Sequence, residues 1–180
     1  MAYQLKSISK AGIAEAIAKA ELYRYINEPE EAESICRDIL AIEPEQQLAR
    51  RMLGLAITDQ FIGAAADRYP EVLSIFQSLR DPYERLYYTG LLYERRAKAQ
   101  LLVGYAAHIL LPLIEEAMRC FAEAEKIRPA GNDDSILRWN RCVRLLESRP
   151  DFHFDRGPAS FDAEDSPPVS MPTRRLGGHH

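Results

Sequence analysis

Across residues 1–150 the prolines fall where helices begin or end, and this punctuation leaves room for little except helix. Ser7 or Ser9 can cap a first helix running to about Tyr25, with Ile13, Ile17, Ala20 and Tyr23 at three- and four-residue spacings. Asn27 followed by Glu-Pro-Glu-Glu reads as a second start: Asn accepts from free amides, Pro29 suits the first turn, and the carboxylates favour the positive helix end. Ala32, Ile35, Cys36, Ile39 and Leu40 then make one apolar face, which Pro44 closes before a third helix begins near Glu45. Pro70 opens a helix through Leu79, and Asp81-Pro82 is a cap and first-turn pair for a longer one. Pro112 opens another to about Ile127, and Asn132-Asp133-Asp134 caps a last one ending near Ser148. No Val/Ile/Thr-rich alternation bounded by turn residues marks a strand. The expectation is an all-α domain of about seven helices.

The helices carry an internal repeat. Ala20, Tyr23, Ala32, Cys36, Ile39 and Pro44 occur in that order, and Ala117, Phe121, Ala124 and Pro129 keep the same Ala-to-Pro gap. Leu53-Gly54 with Ile57, and Leu86, Gly90 and Tyr93, repeat the first half; Trp139, Cys142, Val143 and Leu146 are a fourth version. This pattern resembles the tetratricopeptide repeat, a helix–turn–helix unit of about 34 residues. The resemblance implies a short right-handed solenoid in which small residues let helices A and B of each pair approach closely and a closing Pro lets the next pair turn back. No single pair buries its apolar face alone, so stacking is obligatory. The match is good over residues 13–46. Over 47–80 Gly54 and Ala66 fit, but Pro70 stands where an aromatic belongs.

The third unit departs most. Gly90 to Ala117 spans 27 residues where the first unit's Ala20 to Ala32 spans 12. Either helix A is longer by about four turns, or an extra segment separates the two helices. The excess falls in an apolar stretch, 99–114, with no charge apart from His108 when protonated. It is shorter than the ~20 residues of a membrane span and is broken by Pro112, so no span is expected. Two readings remain: a helix buried on several sides, or an exposed apolar surface that docks a partner or a second copy. Gly104, Ala106 and Ala107 permit close helix–helix approach in either.

Composition narrows the function class. A net charge of −4 and pI ≈ 5.6 argue against a nucleic-acid binder. Cys36, Cys120 and Cys142 are too few and scattered for a disulfide framework, and they sit where small apolar residues pack. The opening residues hold no apolar run of signal-peptide length, so a cytoplasmic location is the expectation. His108 and Glu115 lack the further ligands that zinc needs. No catalytic, cofactor or metal motif is readable.

Residues 151–180 change character: 8 of 30 are hydrophobic, and four of the 11 Pro and three of the nine Gly lie there. Domain boundaries are therefore drawn at 1–150 for the repeat domain and 151–180 for an extended tail. Phe152, Phe154 and Phe161 stand along that acidic segment as a linear motif, as a passive linker, or as a strand of chain returning to its own groove.

In tetratricopeptide proteins helices A line a concave groove that holds a peptide or partner helix. Carried over by register, the groove face includes Arg24 and Tyr25 with Ile17 and Glu21, then Arg51, Leu55 and Asp59 with Thr58, then Tyr87, Leu91 and Arg95 with Glu94. The Lys and Asn that grip a terminal carboxylate in the family's chaperone-tail clamp are absent, so that function is not implied. The resemblance implies a non-catalytic protein-interaction module, an adaptor or accessory subunit of a larger assembly. The alternatives are a transient assembly or maturation factor and, from another class, an enzyme with a site assembled from distant residues.

Overall fold

The computed structural model describes residues 3–62 and 68–153. Among them are seven α-helices and no strand: α1 (Ile13–Tyr25), α2 (Pro29–Ile42), α3 (Gln47–Asp59), α4 (Tyr69–Gln77), α5 (Pro82–Leu102), α6 (Ala107–Lys126) and α7 (Asp134–Ser148). Each packs chiefly against the next in sequence, and the odd-numbered helices also touch in the order α1, α3, α5, α7. No helix among the described residues is long and apolar enough to cross a membrane.

Local chemistry sets most boundaries. Ser9 accepts from the Gly12 amide at 3.1 Å and starts a single 3-10 turn, Lys10–Gly12, that feeds α1. The Asp81 carboxylate accepts from the Tyr83 amide at 2.8 Å, and Pro82 takes the first position of α5, where no amide is needed. Asn27 does a different job from the one its sequence context implies. It has φ 64, and the amides of Asn27 and Glu28 donate back to the carbonyls of Arg24 and Tyr23. That is the double closure of a left-handed helix stop, which Asn tolerates better than most residues. It ends α1; it does not cap α2.

The helix pairs approach through small residues. A Cβ at Gly54 would drive into the ring of Phe76 on α4, and one at Gly90 would stand 2.8 Å from Cε1 of Phe121 on α6. On α2, Ala32, Cys36 and Ile39 are fully buried; so are Val72 and Phe76 on α4, with Leu79 just after it, and Ala117, Phe121 and Ala124 on α6. The same four- and three-residue offsets thus recur on each even helix. In the second pair this places the buried set on Val72, Phe76 and Leu79, and Pro70 is a first-turn residue of α4. The expected fit of Ala66 lies outside the described residues.

In the third pair both helices lengthen. α5 has 21 residues and α6 has 20, against 13 and 14 in α1 and α2. Pro112 falls inside α6, and does not open it. Ala107, Leu110 and Ile114 are buried in one cluster with Ala97 of α5, so apolar burial sustains the turn before the proline. Between the helices Gly104 has φ +93 and open space beside it. It supplies the left-handed turn of the hairpin, and does not mediate close helix contact. Beyond α7, Pro150–Phe152 form another 3-10 turn that buries Phe152 against α6 and α7. The ordered core therefore runs past Pro150, where the sequence places the boundary.

Across the even helices a charged cluster ties α2 to the start of α4. Glu33 accepts from Arg68 at 2.7 and 2.8 Å, from Arg37 at 2.7 and 2.9 Å, and from Gln60 at 2.9 Å. Arg37 and Arg68 also reach Glu71. The Arg68 bonds, then those of Arg37 and Gln60, overcome desolvation and hold the Glu33 carboxyl down at about 2 against an ordinary 4.5. A carboxylate depressed in the folded chain stabilises it above the unfolded pKa, and that stabilisation is lost as pH falls through the folded value. Urea unfolding followed from pH 6 to pH 2 is expected to show stability falling between about pH 4.5 and pH 2. Glu33→Gln removes much of that fall and is less stable than the parent at pH 6.

Candidate functional site

The face shared by the odd helices is where the sequence places a groove, and it is held by charge. Asp59, the last residue of α3, accepts from Arg24 of α1 at 2.8 Å and pairs with Arg95 of α5. Arg95 also donates to Thr58 Oγ1 at 2.5 Å and to the Leu55 carbonyl at 3.3 Å. Burial pulls its guanidinium below the ordinary arginine value, and the Asp59 charge opposes that shift. Farther along, Arg51 donates to Glu84 at 2.6 Å, joining α3 to α5.

Arg24, Asp59 and Arg95 are thus brought together, each side chain 22–24% exposed. They form an interhelical tie whose outer edge reaches solvent. Tyr25 is 88% exposed and lines a recess of about 250 Å³ with Glu21 and Arg24. Tyr87 is half-buried, stacked on Tyr83 with centroids 5.8 Å apart and set edge-on to Tyr88 at 5.0 Å. Leu55 and Leu91 correct the expectation: both are buried in the core between helices and present no side chain to a groove. Glu94 is also fully buried, paired with Lys98 on its own helix, and its second oxygen stands 3.6 Å from Arg138 on α7.

The apolar stretch divides. Ala99, Ala107, Leu110 and Ile114 are core, whereas Leu102, Val103, Tyr105 and Ile109 are each more than half exposed. These four form an apolar tip on the α5–α6 hairpin. The stretch is legible in the sequence but its split is not; the signal for the split is Gly104, whose left-handed backbone turns the chain between α5 and α6. Of the tail residues, Phe152 is core, while Phe154 and Phe161 lie outside the described residues.

The three cysteines are buried and free. Burial pushes Cys36 and Cys142 up to about 12 and raises Cys120, so each stays a protonated thiol near neutral pH. Among the described residues no three His, Cys, Asp or Glu side chains converge as metal ligands. No family model, curated protein or solved structure matches the chain.

The Asp59 tie yields a direct test. Asp59→Ala leaves two arginines without their shared carboxylate and is expected to cost about 1–3 kcal/mol in urea unfolding. Arg95→Ala alone costs a similar amount, and the double variant costs less than the two singles combined by at least ~0.5 kcal/mol. Additive losses would mean that the two side chains do not act together.

Proposed function

We propose that this chain is a tetratricopeptide-like stack that works without catalysis as a protein-binding adaptor or accessory subunit of a larger assembly. Support for the stack comes from the spacing of the polar ties. Arg24–Asp59, Glu33–Arg68, Arg37–Glu71, Arg51–Glu84 and Asp59–Arg95 join residues 33 to 36 positions apart, close to the repeat length of about 34. Free buried cysteines suit a reducing compartment such as the cytoplasm.

The observation that carries the binding reading is the hairpin tip. Leu102 is 79% exposed and Ile109 60%, with Val103 and Tyr105 both at 54%. Four large apolar side chains exposed around the turn between α5 and α6, helices longer than those of the other pairs, gain nothing for the isolated chain. They suit the apolar centre of a contact with another protein.

The reading is tested by affinity purification of the full chain from its native host, beside a Tyr105→Asp/Ile109→Asp variant, both positions lying outside the cleft at the root of the hairpin. Both substituted positions are solvent-facing, so the variant keeps the parent's helical content and melting temperature while losing the retained protein. Retention at fixed stoichiometry through gel filtration supports a subunit; loss on washing supports a transient assembly factor. Equal retention by parent and variant would remove the tip as the contact.

A further inference from the structure

We propose that the root of the long hairpin carries a site for an acidic, phenylalanine-bearing peptide, and that its occupant is the chain's own segment 154–165. The proposal stands apart from the adaptor reading, because it concerns a contact made by the chain alone.

A cleft of about 280 Å³ lies between the last turn of α5 and the second half of α7. Leu101 and Leu145, with the exposed Leu102 beside them, give it an apolar lining, and Lys98, Arg141 and Arg149 add cations to that lining. This size is below that of a typical small-molecule pocket and suits one or two side chains of a peptide. The nearby carboxylates leave positive charge over. Glu94 pairs with Lys98 but is fully buried, and Asp151 pairs with Arg149. Glu147 is the remaining acid of this part of α7. Arg141 has no carboxylate within ion-pair distance among the described residues, nor has Arg144 beside it.

The chain leaves the core at the edge of this cleft. Arg149 is a lining residue, and its guanidinium lies 6.0 Å from the ring centroid of Phe152, which is buried. Beyond His153 the sequence continues Phe-Asp-Arg-Gly-Pro-Ala-Ser-Phe-Asp-Ala-Glu-Asp, carrying two phenylalanines and four carboxylates against one arginine. That is the complement of an apolar lining with added cations. Phe161 stands eight residues past His153, a reach of about 26 Å at ~3.3 Å per residue. Gly157 and Pro158 lie between, where a reversal of the chain is easily made. Tethering gives the segment an effective concentration on the order of millimolar, so a weak contact is enough to fill the cleft. An acidic peptide from another protein would have to displace it.

Hydrogen–deuterium exchange on the full chain tests this. Phe154→Ala/Phe161→Ala, which alters nothing in the helical core, is expected to speed exchange at residues 98–103 and 145–149 by about five-fold. Arg141→Glu is expected to do the same at 98–103 and to raise tryptic cleavage after Arg156 by a similar factor. Raising NaCl to about 0.5 M reproduces part of both effects through screening. The proposal fails if the double Phe variant leaves exchange at both segments unchanged. It also fails if protection in the parent falls on dilution, since that would place the segment in a second copy.

Discussion

A phenyl ring resting against a glycine sets the spacing of the second and third helix pairs. Phe76 and Phe121 occupy the space that side chains at residues 54 and 90 would need, so α3 meets α4, and α5 meets α6, at a distance only glycine allows. The rings are fully buried, and burial of each is worth roughly 2–3 kcal/mol. In the first pair Ala20 and Cys36, both fully buried, hold the corresponding places. From this contact follow the offsets of the remaining buried residues on the even helices. The charged ties then act as secondary fasteners: Glu33 with its arginines on one side, Asp59 with Arg24 and Arg95 on the other.

Much of the helical plan is legible in the sequence because it rests on local rules. Asp81-Pro82, Ser9 and the Asn132 turn each act through atoms within a few residues, so their roles survive folding. What escapes is set by contacts at a distance. Pro112 looks like a helix start, but burial of Ala107 and Leu110 against α5 carries the helix past it. Asn27 satisfies either a stop or a cap, and only the carbonyls of α1 decide between them. In the second pair the buried set is displaced because α4 begins at Tyr69, ten residues past the end of α3, whereas α2 begins at Pro29, four past the end of α1; Val72 and Leu79 stand where α2 has Ala32 and Ile39.

The candidate surface was legible in outline and not in detail. Register puts Arg24, Asp59 and Arg95 on the odd-helix face, and they meet there. It puts Leu55 and Leu91 there too, although each is turned inward; one helical position decides between groove and core. Composition changes at Pro150 and places Phe152 in the tail, yet a single 3-10 turn buries its ring in the cluster that holds Leu145 and Phe121. Composition averages over a window and cannot see one anchored side chain. The hairpin tip was hidden for the opposite reason, since a uniform apolar run gives no sign of which members face solvent.

The proposed contact with another protein lies at the exposed tip of the α5–α6 hairpin. A photo-reactive phenylalanine analogue placed at Tyr105 in the full chain, and separately at the exposed Arg119 on α6 as a control, examines that contact inside native cells. One discrete cross-linked species is expected from position 105, and none of that mass from position 119. Equal yields from both positions, or none from 105, would contradict it.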